Sequence, residues 1–167
     1  DLNFKVEVPE VDEVFPESLD VTIVAEYLAN LKAAAFTHIS SDTVVITADT
    51  VVILDEYILG KPKNKTEAAK MLQSLSNQNH KVMTGVCIKS KDKTISFSNT
   101  TKVFFKELTS SEINYYIENY KPFDKAGSYG IQEWIGAIGI TKIEGSYFNV
   151  VGLPINQLYK NLKEYFF

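Results

Sequence analysis

The chain has 167 residues, of which 45% are hydrophobic, 12% aromatic and 23% charged. This is the composition of a globular protein of one domain or two small ones, and it excludes long disorder, a collagen-like repeat and a coiled coil. A net charge of −4, from 21 acidic and 17 basic residues, does not favour a nucleic-acid partner.

The basic residues apart from His38 and His80 are all lysines. An anion site here must therefore use ammonium groups, backbone amides or a metal, without the bidentate guanidinium fork. One cysteine, Cys87, excludes a disulfide framework or a cysteine-based zinc site within the chain, and two histidines argue against a multi-histidine centre. No charged segment followed by an apolar one marks a signal peptide. No apolar run approaches the roughly 18 residues of a membrane helix. The expectation is a soluble, cytoplasmic protein with no membrane partner. The chain opens on Asp1 rather than methionine, from which we expect an N-terminal piece to be missing.

Asp1 to Val8 alternates apolar and polar residues and predicts a strand. An acidic loop follows, Glu10 to Pro16. From about Asp20 to Phe36 the spacing of Val24, Leu28, Leu31 and Ala35 predicts a helix, with His38 at its end. Thr43 to Leu54 is apolar and β-branched, a buried strand interrupted by one carboxylate, Asp49. After Gly60-Lys61-Pro62, Asn64 and Glu67 form a capping-box pattern that opens a helix to about Leu75.

Val82 to Ile88 and Thr94 to Phe105 predict two strands joined by a turn at Lys91-Asp92-Lys93. Thr109 and Glu112 open a further helix with Ile113, Tyr116, Ile117 and Tyr120 on one face. Pro122 to Gly130 is rich in turn residues. Ile135 to Ile143 predicts a glycine-containing strand and Tyr147 to Val151 another, and Gly152-Leu153-Pro154 opens the last helix. The order predicts an α/β protein with a mixed sheet.

Asp49 is the most informative residue. A carboxylate inside an apolar run is costly unless it is paired, hydrogen-bonded or metal-bound; the competing reading is an exposed turn between two short strands. Glu13 in the acidic loop, Lys61 between glycine and proline, and Lys125 in Asp-Lys-Ala-Gly each read alone as ordinary surface residues. His80 reads as a structural loop or strand-start histidine, Cys87 as a small core residue, and Trp134 as core filler. No Walker A, dinucleotide fingerprint or nucleophile elbow is present. Together the four charged residues fit a metal-dependent phosphate enzyme: two carboxylates hold a divalent cation and two lysines offset polyphosphate charge.

Six segments in order carry a resemblance. They are Val11-Asp12-Glu13, Ala48-Asp49-Thr50, Gly60-Lys61-Pro62, His80-Lys81-Val82-Met83-Thr84-Gly85, Asp124 to Gln132, and Asn149 to Pro154. With them the chain resembles the Maf proteins, nucleoside triphosphate pyrophosphatases related in fold to the inosine triphosphate pyrophosphatases. The resemblance implies a single Maf-like domain over residues 1–167, with an elongated sheet, flanking helices and two lobes around a cleft. It implies hydrolysis of a nucleoside triphosphate to the monophosphate and pyrophosphate with Mg²⁺ or Mn²⁺. It implies catalytic roles for Glu13, Asp49 and Lys61, metal ligation by Glu13 and Asp49, and substrate contacts by Lys125 and Gln132.

Ala-Asp-Thr together with Tyr-Gly-Ile-Gln resembles the branch acting on dTTP and UTP, with modified pyrimidine nucleotides as an alternative. The resemblance also implies a homodimer. The family opens with a strand, a Ser-x-Ser-Pro-Arg-Arg loop and a helix; the expectation is that this segment is missing here. The rival reading is a nucleotide-binding regulator of septum formation and cell division without catalysis.

Overall fold

Two long paired strands organise the molecule. In the computed structural model, which describes residues 2–166, β1 (Val45–Leu54) and β3 (Asn79–Lys89) run antiparallel from Val45↔Lys89 to Ile53↔Lys81. Val82 to Ile88 of β3 are buried without interruption, as expected for a central strand covered on both faces. β2 (Tyr57–Leu59) borders β1, and β4 (Thr94–Phe105) and β5 (Ile140–Glu144) follow β3, giving the order β2-β1-β3-β4-β5.

The expectation of an α/β fold with flanking helices holds. The sheet is antiparallel in every described pairing rather than mixed. The reason lies in one crossover. Helix α2 (Lys65–Leu75) carries the chain from β2 to β3, and these two strands lie on opposite sides of β1. They share a direction but not a hydrogen bond.

Helices cover both faces. α1 (Val24–Ala34) lies on one, where Val24, Ala25 and Leu28 pack with Val51, Ile53 and Met83. The other face carries two separate groups. Over one end, α2 and α3 (Ser110–Tyr120) enclose Val52, Val82, Val103 and Phe105; over the other, α6 (Ile155–Tyr165) packs Leu158 and Leu162 on Val86 and Ile88. A polar strip separates them. Thr50 Oγ1 lies 2.8 Å from Thr84 Oγ1, Thr84 donates to the Asn149 carbonyl at 2.9 Å, and Asn149 Nδ2 donates to the Val82 carbonyl at 3.0 Å. Of the two capping boxes read from sequence, the one at Thr109 forms in full; at Asn64 the side chain accepts from Glu67 N–H, but the Glu67 carboxylate reaches one residue further back, to Lys63 N–H.

Three expected strands are corrected. Leu2 to Val8 has no ladder partner among the described residues and leaves Phe4, Val6 and Val8 at 77–89% exposure; alternation alone does not make a strand without a neighbour to receive its hydrogen bonds. Asp1 lies outside the described residues. Ile135 to Ile143 splits into helix α4 (Trp134–Gly139) and strand β5. The chain doubles back so tightly here that a Cβ on Gly136 would sit 2.0 Å from the Ile131 carbonyl oxygen, so the glycine that reads as a strand interruption permits a turn.

Tyr147 to Val151 is helix α5 (Tyr147–Val151), opened by the Ser146 side chain accepting from Asn149 N–H. His38 lies beyond the end of α1, not at it, while His80 and Cys87 are buried in β3 and Trp134 packs against the core as expected. No described helix is long and apolar enough to cross a membrane.

Candidate active site

β2 covers β1 only from Val52 to Leu54. Among the described residues no strand pairs with Ala48–Thr50 on that side, and a cleft of about 320 Å³ forms beside this edge. Because side chains alternate along a strand, Asp49 points to the face carrying α1 while Ala48 and Thr50 point to the other. The open edge lets both faces reach one cleft. Lys61 follows β2 on the near side. Asp124 to Gln132 form the opposite wall, and Val150 to Gly152 close the end.

Asp49, Lys61 and Glu13 converge although they come from three separated segments. Phe15 and Leu19 pack against the α1 cluster and so bring the acidic loop to the cleft. Glu13 lies 4.0 Å from Lys61 Nζ through Oε2 and 2.9 Å from Lys32 Nζ through Oε1. Lys32 also donates to Asp49 Oδ1. Lys32 thus sits between the two carboxylates.

Lys32 is the residue that sequence reasoning missed. Its signal was present: it follows Ala25, Leu28 and Ala29 at helical spacing, on the stripe that α1 buries. The expected stripe of Val24, Leu28, Leu31 and Ala35 is rotated from the observed one, in which Ala25, Ala29 and Ala33 face the sheet while Ala35 is exposed. On the observed stripe a lysine is conspicuous, because an ammonium placed there needs carboxylate partners.

The three charges titrate differently. The hydrogen bond from Lys32 holds Glu13 below the usual carboxylate range. Burial raises Asp49 above it, outweighing the lowering by Lys32. Burial works against the charge of Lys32, but bonds to Asp49 and Glu13 raise its pKa overall. The arrangement therefore holds an anionic Glu13, a cationic Lys32, and in Asp49 a carboxylate more basic than an ordinary aspartate.

Across the cleft, Gly127 N–H donates to the Gly60 carbonyl at 3.1 Å, which docks the Lys125 loop beside Lys61. Gly127 and Ser128 both adopt positive φ, at 67° and 63°. Lys125 pairs with Asp124 at 3.0 Å and with Glu133 at 3.1 Å. Gln132 lines the cleft and is exposed. Of the five expected site residues, Asp49, Lys61, Lys125 and Gln132 line one cleft, and Glu13 adjoins it through Lys61 and Lys32.

A divalent cation fits this donor set in one mode. Among the described residues no group of three or more His, Cys, Asp or Glu side chains is placed to hold a metal alone. Glu13 and Asp49 already surround one ammonium cation. Magnesium commonly binds through one or two carboxylates and completes its shell with water and substrate phosphate. Three lysines also face four carboxylates here, so a polyphosphate would need additional positive charge.

Residues 1–165 match the family described as "Maf-like protein". The chain is 51% identical over 168 residues to the dTTP/UTP pyrophosphatase of Flavobacterium psychrophilum, covering 100% of this chain and 86% of that protein. It is 52% identical to that of Christiangramia forsetii over 96% of this chain and 82% of the other. It is 51% identical to that of Porphyromonas gingivalis over 94% and 80%.

Proposed function

This chain belongs to the Maf family, and on that premise we propose that it hydrolyses dTTP and UTP, or a modified pyrimidine nucleotide, to the monophosphate and pyrophosphate. The observation that carries this reading is that Asp49 and Lys61 line one cleft with Glu13 4.0 Å from Lys61, in a chain whose relatives at 51–52% identity bear that activity in their names.

The proposed reaction is attack of water on the α-phosphorus. A P–O bond forms to the water oxygen, the bond to the α,β-bridging oxygen breaks, and pyrophosphate leaves. Lys32 engages Asp49 Oδ1, so Oδ2 would take the proton from the attacking water. Without the ion, burial leaves Asp49 more basic than an ordinary aspartate, and a base works best when its pKa approaches the working pH. Lys32 orients Asp49 and Glu13 together. Lys61, 61% exposed at the rim, would meet charge developing on the phosphates. Lys125 and Gln132 would contact the nucleotide from the opposite wall. Glu13 and Asp49 would hold Mg²⁺ or Mn²⁺ with the substrate; when bound, the ion neutralises phosphate charge.

The test measures pyrophosphate release from a panel of nucleoside triphosphates, with Mg²⁺ or Mn²⁺ and with EDTA, for the parent and Asp49→Asn. The expected result is metal-dependent release from dTTP and UTP, lowered about a hundredfold or more in the variant. Orthophosphate as the product, or near-normal release by Asp49→Asn, would overturn the reading. Nucleotide binding with no turnover would instead support a regulator without catalysis.

A further inference from the structure

The loop carrying Lys125 and Gln132 is tied to α3 by a relay that the proposed reaction does not use. Gly130 N–H donates to Tyr116 Oη at 3.0 Å, and Tyr116 donates in turn to Glu133 Oε2. Glu133 Oε1 accepts from Lys125 Nζ at 3.1 Å. Tyr116 has no exposed surface, so its hydroxyl has no recourse to water. Having accepted the Gly130 N–H, it must direct its own proton to an acceptor.

Glu133 thus receives two donors that converge from different elements. A carboxylate meets both, because it is acceptor-only with two oxygens. A glutamine amide meets one of them and turns an N–H₂ toward the other. The packing leaves little freedom: a Cβ on Gly130 would lie 3.0 Å from both Glu133 Cδ and Lys125 Cε.

The two carboxylates on Lys125 differ in kind. The Asp124 side chain is 75% exposed and that of Glu133 is 23% exposed. An ion pair open to water is weak and easily exchanged, so Asp124 is the partner that an incoming anion displaces. Glu133, backed by a buried tyrosine, stays. We infer that Glu133, anchored by Tyr116, is a positioning residue that aims the Lys125 ammonium at an anionic oxygen of the nucleotide in the cleft. This inference rests on the nucleotide-binding reading above and extends it to two residues outside the Glu13, Asp49 and Lys61 cluster.

The experiment is a double-mutant cycle read by isothermal titration calorimetry with α,β-methylene-UTP and Mg²⁺, which reports affinity without turnover. Glu133→Gln is expected to weaken binding about tenfold, as loss of one aligned charge-assisted contact does. In the Lys125→Met background the same change is expected to have less than about a twofold effect, because its target is gone. Tyr116→Phe, which removes only the hydroxyl, is expected to follow the same pattern with a smaller loss. It also serves if Glu133→Gln does not fold, as judged by its thermal midpoint.

A merely structural role would lower affinity by the same factor in both backgrounds. That outcome, or parent-like binding by Glu133→Gln, would overturn the inference. Pyrophosphate release by the parent separates the two readings. An inactive parent with a coupled cycle ends the hydrolase reading and keeps this one. An active parent with additive losses ends this one alone, and a parent that does not bind the analogue ends both.

Discussion

Lys32 is the residue on which the cluster turns. Two carboxylates share its ammonium group, and each is titrated by it. Lys32→Met removes the contributions that lower Asp49, so the Asp49 pKa is expected to rise further. The acid limb of the kcat/KM profile should then move to higher pH. Glu13 loses the bond that holds it low and should move up as well. The variant also leaves two partly buried carboxylates facing one another. Their residual exposure limits the cost, for which we expect about 1–2 kcal/mol of stability rather than the larger loss of a fully buried pair. Steady-state kinetics from about pH 5 to pH 9, with denaturant unfolding at neutral pH, would check both. An unmoved acid limb would mean that Asp49 does not set it.

The contact between α1 and β3 sets where Lys32 stands. Ala25, Ala29 and Ala33 turn small side chains to the sheet, and Gly85, opposite Asp49 in the register, offers none. A Cβ at Gly85 would lie 2.2 Å from the Glu26 nitrogen and 2.3 Å from the Ala25 carbonyl carbon. These are backbone atoms of a helix, which cannot step aside singly. Gly85→Ala is therefore expected to push α1 off the sheet and cost about 1–3 kcal/mol, the range for overpacking a filled core. Because the shift would separate Lys32 from Asp49, activity should fall more than stability predicts. Thermal unfolding together with pyrophosphate release would test this. A variant with parental midpoint and activity would show that the helix has slack at this point.

At the scale of the whole molecule, acid stability should report on His80. It is 2% exposed, its Nε2 lies 2.7 Å from the Tyr129 hydroxyl, and burial lowers its pKa to about 4. A histidine unfolded in water titrates near 6.5. Between those values the unfolded chain binds a proton that the folded chain refuses, so stability falls as pH drops from about 6.5 towards 4. From pH 7 to pH 5 the loss should be about 2 kcal/mol. Glu13, held below its usual range, adds to the loss at still lower pH, while Asp49, held above its own, opposes it. Urea unfolding of the parent and His80→Gln at both pH values is the check. An equal loss in both proteins would place the acid sensitivity elsewhere.

The sequence by itself determined the local elements whose signals are local. The cap at Asn64 and the capping box at Thr109 act within four residues, so α2 and α3 were legible. So was the hairpin around Lys91-Asp92-Lys93, and so was the oddness of Asp49 in an apolar strand. The segments from Glu13 to Gln132 were recognisable as a set, but what each does geometrically was not. Tertiary structure decided that β2 stops short and opens the edge at Asp49. It decided that α1 turns its alanine face to Gly85 and so brings Lys32 between Glu13 and Asp49. It also decided that Ile135 to Gly139 coils rather than extends, and that Leu2 to Val8 pairs with no described strand. The physical reason is common to these cases. A cap or a turn is satisfied by neighbours in sequence, whereas a strand, a buried lysine and a close helix contact are satisfied only by partners the fold brings from far along the chain.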